Sequence, residues 1–241
     1  MPASWHLRYL VARERRRGER ELALLPELAA PDRLAVDVGA NKGVWTAALC
    51  DLGVSVHAFE PNPKIFAELH RALRSRAVLH PLALSDRAGI AEFRVPRSRR
   101  GYSNQGGSLS AVAVRGLYGA TQVETARLDD LGLVNVGFIK IDVEGAEMAV
   151  LQGARQVLAR DRPNLVIEME ERHIGRPLEQ ALAEVEALGY AGYALAEGVL
   201  TPWRDIDLDA RHRRPASRDL YLFNFVFRPH RPSPPRWPSR S

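Results

Sequence analysis

The chain has 241 residues, of which 46% are hydrophobic, so it can bury one sizeable core in a single domain, with room for terminal appendages. Charges interrupt its apolar runs well short of the ~20 residues that a membrane-spanning helix needs, and its single cysteine excludes an internal disulfide, which fits a cytoplasmic protein. The net charge of +5 comes largely from arginines at the two ends, where aromatic residues are sparse, and this favours solvated arms over a nucleic-acid-binding surface.

The predicted elements begin with helices in residues 1–30, where leucines recur at helical spacing. Short apolar runs and amphipathic stretches then alternate along the chain. Strands are predicted at 34–38, 54–59, 78–84, 88–95, 122–128, 137–143, 164–168, 190–200 and 219–227. Helices are predicted at 44–52, 63–74, 146–158 and 178–188. Strands that alternate with helices predict an α/β fold with a largely parallel sheet covered on both faces.

Composition divides the chain into a central domain and two ends. Residues 31–228 form the predicted domain, residues 1–30 a helical extension, and residues 229–241 a basic, proline-rich tail whose composition predicts disorder. Inside the domain, residues 96–120 are rich in glycine, serine and arginine. A long irregular insertion of this kind is either a lid over a binding site or a plain surface loop.

A glycine turn follows the first predicted strand and opens the next helix. Gly39 and Gly43 frame it, and such a turn lets the backbone approach a ligand closely. A dinucleotide site would need a third glycine where this chain has Asn41. The carboxylate of Asp37 suits a cationic ligand and would repel a pyrophosphate. Glu60 ends the second strand about 20 residues after the turn, where an acid accepts hydrogen bonds from ribose hydroxyls. These features favour S-adenosylmethionine (SAM) over a dinucleotide.

A second candidate site lies where the predicted strand 137–143 ends. Four ionisable residues crowd this point: Lys140, Asp142, Glu144 and Glu147. Buried charge is costly unless it is paired or used. Ligands of open α/β sheets bind outside the carboxyl ends of the strands, so Asp142 is expected to face the same crevice as Asp37. The two glutamates also suit the positive end of the following helix, and Lys140 could pair with one of these acids or with Glu168.

The next strand ends in a third cluster that contains Glu168 and His173. A carboxylate or an imidazole here could deprotonate a substrate, although a solvated acidic turn with a surface histidine would look the same. Asp142 and Glu168 could also hold Mg²⁺. Because no dense cluster of metal ligands accompanies them, no metal is predicted.

Taken together, these motifs resemble the FkbM family of SAM-dependent methyltransferases over roughly residues 34 to 171. The resemblance is carried by seven motifs, at residues 37–43, 58–63, 83–86, 106–109, 128–131, 139–147 and 150–154. It implies a Rossmann-like class I methyltransferase fold, with a seven-stranded, mostly parallel sheet whose last strand, near 220–227, is antiparallel. Family members are mostly O-methyltransferases that act on hydroxyls of sugars, glycans or secondary metabolites.

The resemblance also implies roles for individual residues. The methionine part of SAM would be held by Asp37, Gly39, Asn41 and Gly43. Glu60, which Pro61 follows, would hold the ribose, and Ala83, Leu84 and Ser85 would border the adenine. Asp142 is expected at the same crevice as a further cofactor-binding residue. The expected partner is a small-molecule or glycan substrate, and Arg97, Arg99 and Arg100 are available for an acidic group on it.

Transfer to a hydroxyl needs an aligned oxygen and a base that takes its proton. The candidate bases are Asp142, Glu168 and His173, in that order, with Lys140 as a further candidate catalytic group. A competing hypothesis is a methyltransferase for RNA ribose or another nucleic acid. Base-amine methylation usually presents an Asn/Asp-Pro-Pro-aromatic motif where this chain has Asp142-Val-Glu-Gly. Two further hypotheses are a catalytically inactive SAM-fold module and an NAD-dependent dehydrogenase.

Overall fold

The computed structural model describes residues 7, 9–14, 18–98, 101–102, 107–110 and 118–230. The strands are β1 (Leu34–Val38), β2 (Val56–Phe59), β3 (Val78–His80), β4 (Ala83–Leu84), β5 (Gly89–Ser98), β6 (Gly101–Tyr102), β7 (Tyr118–Ala126), β8 (Val136–Ile141), β9 (Asn164–Glu168), β10 (Tyr190–Ala196), β11 (Val199–Pro202) and β12 (Asn224–Pro229). The helices are α1 (Leu25–Leu28), α2 (Val44–Asp51), α3 (Pro63–Leu73), α4 (Glu147–Gln152), α5 (Arg155–Asp161), α6 (Glu171–Ile174) and α7 (Leu178–Glu186). A short 3₁₀ helix, Arg20–Leu24, precedes α1.

The main sheet has the strand order β11-β10-β12-β9-β8-β1-β2-β3. The central strands β3, β2, β1, β8 and β9 are paired in parallel, and β12 runs antiparallel between β9 and β10. The predicted α/β fold with an antiparallel last strand is therefore confirmed. Because parallel strands need crossover connections, their carboxyl ends share one edge of the sheet.

The main sheet has one strand more than the seven predicted. The sequence prediction placed one strand over residues 190–200. The chain instead reverses at Glu197 and Gly198, whose φ angles are +52° and +83°, and returns as β11. Two consecutive residues with positive φ form the kind of tight turn that joins two antiparallel strands.

A second sheet covers the carboxyl edge of the first on one side. Its strand order is β4-β7-β5-β6, and β5 and β7 pair antiparallel over most of their length. Residues 96–98 and 118–120, which belong to the predicted insertion loop, continue these two strands. The remaining described parts of that insertion are 101–102 and 107–110. In the part of the chain that the structure describes, no helix has the length and apolar character to cross a membrane.

Side chains alternate between the two faces of the sheet and build a core on each. Val36 and Leu165 join the core cluster on one face, whereas Ala35 and Val166 join the cluster on the other face. The second cluster also contains apolar residues of α2 together with Leu69 and Leu73 of α3. Helix α3 begins where the side chain of Asn62 accepts hydrogen bonds from the backbone of Lys64 and Ile65.

The N-terminal segment packs into this second core. Leu22 and Leu25 are completely buried, and Leu28 is nearly so. Their packing brings residues 18–24 to the carboxyl edge of the sheet, where Asn224 Nδ2 donates to Glu21 Oε2 at 3.5 Å. The tail beyond residue 230 lies outside the described residues, and Pro229 still belongs to β12.

The substitution Leu25→Ala tests whether this segment belongs to the folding unit. We expect it to lower the free energy of unfolding by roughly 2–5 kcal/mol, since it removes a buried side chain and leaves a cavity. The control Val134→Ala, at a side chain that is 64% exposed, is expected to cost less than about 0.5 kcal/mol. Urea unfolding followed by circular dichroism measures both. Equal costs would show that the segment contributes nothing to the core.

Candidate active site

A cavity of about 250 Å³ opens at the carboxyl ends of β1, β2 and β8. Its volume is close to the lower end of the roughly 300–1,000 Å³ typical of small-molecule sites. Several residues that the sequence singled out line it: Gly39, Asn41, Glu60, Pro61, Ala83, Leu84 and Asp142. Among the described lining residues, the ionisable ones are all acidic, namely Glu19, Glu60, Asp142 and Glu144.

The turn after β1 is held against the end of β8. Gly39 has a φ of +79°, and a Cβ atom there would lie 1.8 Å from the carbonyl oxygen of Asp142. A side chain would therefore push the two strand ends apart. Asn41 also adopts a left-handed conformation, with a φ of +49°, which asparagine tolerates better than most residues. The turn residues Gly39 and Asn41 therefore line the cavity where the ends of β1 and β8 lie close together.

Glu60, at the end of β2, also lines the cavity. Its carboxylate accepts hydrogen bonds from the backbone N–H of Asn41 at 2.9 Å and of Asn62 at 2.8 Å. Burial raises the pKa of Glu60 to about 7, although the two hydrogen bonds oppose this shift. A carboxylate has about four acceptor sites, so two donors leave capacity for the hydroxyls of a ligand.

Three predicted cofactor-binding residues do not line the cavity. Asp37 is buried and accepts a hydrogen bond from Thr46 of α2. It shares the sheet face of Ala35, because side chains in a strand alternate. Burial raises the pKa of Asp37 to about 6. Gly43 lies against Leu69 and Leu73, and Ser85 hydrogen-bonds to Asp86.

Lys140 is fully buried behind the acidic edge. Its Nζ donates to Asn224 Oδ1 at 2.9 Å and lies 5.3 Å from the ring centroid of Trp45. Burial opposes its charge, but the carboxylates of Asp142, Glu19 and Glu168 outweigh this effect and raise the pKa of Lys140. This placement makes Lys140 a counter-charge for the site, with no access to a substrate in the cavity.

Three carboxylates meet between β8 and β9. One oxygen each from Asp142, Glu144 and Glu168 lies within 4.8 Å of the others. Burial raises the pKa of Asp142 to about 7, and burial together with the charge of Asp142 raises the pKa of Glu168 well above its ordinary value. Such a group has the ligand chemistry for a hard cation. Lys140 also places a positive charge beside these acids.

Glu144 also holds the imidazole of His173. Its carboxylate lies 2.7 Å from Nδ1 of His173, and its backbone φ of +54° is unusual for a residue other than glycine. Strained backbone of this kind clusters at functional sites. Burial opposes the charged imidazole, but the hydrogen bond and the charge of Glu144 raise the pKa of His173. The pair leaves Nε2 of the imidazole available to take a proton.

Some lining residues were not predicted. Glu19 reaches the cavity from the N-terminal segment, and its carboxylate accepts a hydrogen bond from Trp45 Nε1. No local motif marks Glu19, because its position depends on how the segment packs. Gly107 and Leu109 also line the cavity, and Ser108 between them donates to the carbonyl oxygen of Glu144 at 2.6 Å. These residues belong to the Gly-Gly-Ser-Leu motif at 106–109, so the resemblance to the family could have indicated them.

The predicted arginines for an acidic substrate group are not placed by the structure. Arg99 and Arg100 lie outside the described residues, as does the side chain of Arg97.

Comparison with known proteins identifies similar chains. Residues 37–194 match the family described as the methyltransferase FkbM domain. The chain is 30% identical over 158 residues to the hexuronic acid methyltransferase AglP of Haloferax volcanii, which covers 64% of this chain and 61% of AglP. It is 31% identical over 194 residues to the 31-O-demethyl-FK506 methyltransferase FkbM of Streptomyces tacrolimicus, which covers 66% and 71% of the two chains. It is also 31% identical over 153 residues to the 2-O-methyltransferase NoeI of Sinorhizobium fredii, with 56% and 63% covered. The chain thus covers less than two thirds of AglP and of NoeI.

Solved structures share the fold. The FkbM methyltransferase of Methylobacillus flagellatus superposes with a TM-score of 0.53 at 19% identity, over 82% of this chain and 44% of that chain. A Streptococcus mutans protein assigned as a methyltransferase, crystallised in complex with SAH, superposes with a TM-score of 0.51 at 10% identity, over 88% and 96% of the two chains. At these identities the similarity concerns the fold alone.

The pair of Glu144 and His173 yields a measurable prediction. In Glu144→Gln the carboxylate charge is lost, so we expect the pKa of His173 to fall below its value in the unmodified protein. Titration of the imidazole proton signals by NMR measures it. Glu124→Gln removes an exposed carboxylate on β7 and is expected to leave the pKa of His173 unchanged. An unchanged value in Glu144→Gln would mean that the two side chains do not interact in solution.

Proposed function

This chain belongs to the FkbM family of methyltransferases, and we propose that it transfers the methyl group of SAM to a hydroxyl oxygen on a sugar, glycan or secondary metabolite. The acceptor class follows the names of the similar chains, which are described as acting on a hexuronic acid, on 31-O-demethyl-FK506 and at a 2-O position. None of these three similar chains is described as acting on RNA.

The acidic lining of the 250 Å³ cavity carries the proposal. SAM carries positive charge on its sulfonium and its ammonium group, and among the described residues no lysine, arginine or histidine lines this cavity. A dinucleotide would bring a pyrophosphate, which the same carboxylates would repel. The acidic lining therefore favours SAM over NAD and agrees with the absence of a third glycine at position 41.

The residues present fit the parts of SAM. Glu60 has spare acceptor capacity for ribose hydroxyls, as acids at this strand end do in related folds. Asp142 and Glu19 provide negative charge for the cationic part. Ala83, Leu84 and Phe93 provide apolar surface for a base ring. When bound, SAM supplies a methyl carbon already activated by its sulfonium.

We assign the role of general base to His173. A sugar hydroxyl is a poor nucleophile, and the base should accept its proton through Nε2 as the new bond forms. Glu144 orients the ring through Nδ1 and stabilises the imidazolium that results. Asp142 and Glu168 lie in one cluster, and the pKa values of both carboxyl groups are raised. Because two neighbouring carboxylates repel each other, the pair tends to keep a proton at neutral pH, which makes it a poorer base. In this proposal Asp142 and Glu168 contribute negative charge to the site and do not accept the proton of the hydroxyl.

Binding of SAM tests the role of Glu60. At about pH 8 a carboxyl with a pKa of about 7 is ionised, and its hydrogen bonds to ribose are each worth about 1.5–3 kcal/mol. Glu60→Gln is therefore expected to weaken SAM binding by about tenfold or more in isothermal titration calorimetry. Glu124→Gln serves as the control. SAM affinity that is unchanged in Glu60→Gln would remove Glu60 from the cofactor site.

The base is tested by the pH dependence of turnover. Acceptors are first found by screening sugars and natural products with radiolabelled SAM. Only the neutral imidazole accepts a proton, so kcat should rise with pH through the pKa of His173. His173→Gln should lower kcat by roughly 10²–10⁴-fold, and Glu144→Gln should move the rising limb to lower pH. The control His70→Gln changes an exposed histidine on α3. A rising limb that persists in His173→Gln would assign the base to another group.

A further inference from the structure

A second, larger cavity lies beside the first at the same edge of the sheet. Its volume is about 790 Å³, and its walls come from the N-terminal segment, from the residues after β9 and from the residues before β12. This volume is within the roughly 300–1,000 Å³ range of small-molecule sites. Tyr221 and Phe223 add aromatic surface to a lining that is otherwise rich in charge.

Neighbouring residues of the N-terminal segment line the two cavities. Glu19 lines the first cavity, whereas its chain neighbours Gly18 and Arg20 line the second. On the other side of the site, Glu144 lines the first cavity, and its partner His173 directly follows Arg172, which lines the second. The imidazole that we assign as the base is thus linked to the lining of the first cavity through Glu144 and to that of the second cavity through its chain neighbour Arg172.

Three guanidinium groups face the second cavity: Arg20, Arg172 and Arg218. Arg172 is paired with Glu170, whose other carboxylate oxygen accepts a hydrogen bond from Tyr221. Arg20 donates to the backbone carbonyl of Asp219. Its guanidinium group forms no ion pair with a carboxylate among the described residues. The guanidinium of Arg218 makes no hydrogen bond or ion pair with any residue that the structure describes.

The acidic residues of this cavity offset only part of that charge. Glu170 is matched by Arg172. Burial raises the pKa of Glu21 to about 7, so its carboxyl group is partly protonated at neutral pH. Asp219 offsets one of the two remaining arginines. In the described lining of the second cavity two guanidinium groups, those of Arg20 and Arg218, nevertheless have no carboxylate partner, whereas the ionisable residues in the described lining of the first cavity are all acidic.

We infer that the second cavity binds the methyl acceptor and that Arg20 and Arg218 bind an anionic group on it, either a uronate carboxylate or a sugar phosphate. Guanidinium groups bind both through paired, charge-assisted hydrogen bonds. The inference rests on the proposed function, because it takes the first cavity as the site of the methyl donor. The carboxylates of the first cavity and the two guanidinium groups of the second then direct the cationic donor and the anionic acceptor to separate places.

Binding of defined probes tests this inference in the whole chain saturated with SAM. Methyl glucuronide, glucose 1-phosphate and the neutral methyl glucoside are titrated by calorimetry. We expect at least one anionic probe to bind about tenfold or more tightly than the neutral probe, since a hydrogen bond to a charged group is worth about 1.5–3 kcal/mol. The tighter of the two anionic probes tells a carboxylate acceptor from a phosphate acceptor.

Matched variants locate the anion. Arg20→Gln and Arg218→Gln should each weaken the anionic probe about tenfold, leave the neutral probe unchanged and retain the affinity for SAM. Arg71→Gln, at an exposed arginine on α3, should change none of these values. Thermal unfolding by circular dichroism should match in all variants, because both cavity arginines are exposed.

The outcomes separate this inference from the proposed function. The inference is wrong if the neutral and anionic probes bind equally, if neither anionic probe saturates at millimolar concentrations, or if both cavity variants bind the anionic probe as the unmodified protein does. A failure to bind SAM, with the anionic probe still bound at Arg20 and Arg218, would instead reject the proposed methyl transfer.

Discussion

A buried ammonium group stabilises the acidic edge on which the site depends. Several carboxylates converge at the ends of β1, β8 and β9, and each loses hydration and repels its neighbours. Lys140 places one positive charge among them and is anchored by Asn224. Without such a counter-charge, a cavity lined by Glu19, Glu60 and Asp142 would be costly to fold. The same charge balance prepares the cavity for a cationic ligand, which would supply the remaining positive charge.

Backbone conformation supports this electrostatic arrangement. The turn at Gly39 approaches the carbonyl of Asp142 so closely that no side chain fits between them. Glu144 is held in a left-handed conformation at the end of β8, and Ser108 hydrogen-bonds to its carbonyl group. The two sheets thus meet at Glu144. Its carboxylate lies against Nδ1 of His173.

The N-terminal segment has a larger role than an appendage would have. It precedes the region that matches the family, yet it provides walls to both cavities through Glu19, Arg20 and Glu21. Burial of Leu22 and Leu25 fixes these polar residues in place. Through Arg20, the segment also supplies one of the two arginines that we propose to bind the acceptor.

The sequence by itself determined the features that depend on neighbouring residues. Alternating apolar runs predicted the α/β sheet, and the glycine turn, Glu60 and Asp142 were predicted at the strand ends that line the first cavity. Local chemistry decides these features, because strand period, turn conformation and strand ends are properties of short segments. The direction of Asp37 could have been read in the same way, since it alternates with Val36 and Val38.

Only the tertiary structure decided which distant residues meet. Glu19 reaches Trp45, Lys140 reaches Asn224, and Arg20 lies beside Asp219, across separations that no local pattern encodes. The turn at Glu197 and Gly198 likewise became visible only through the pairing of β10 with β11. Long-range packing of the two cores sets these contacts, because burial of apolar side chains such as Leu25 fixes where the polar residues beside them must lie.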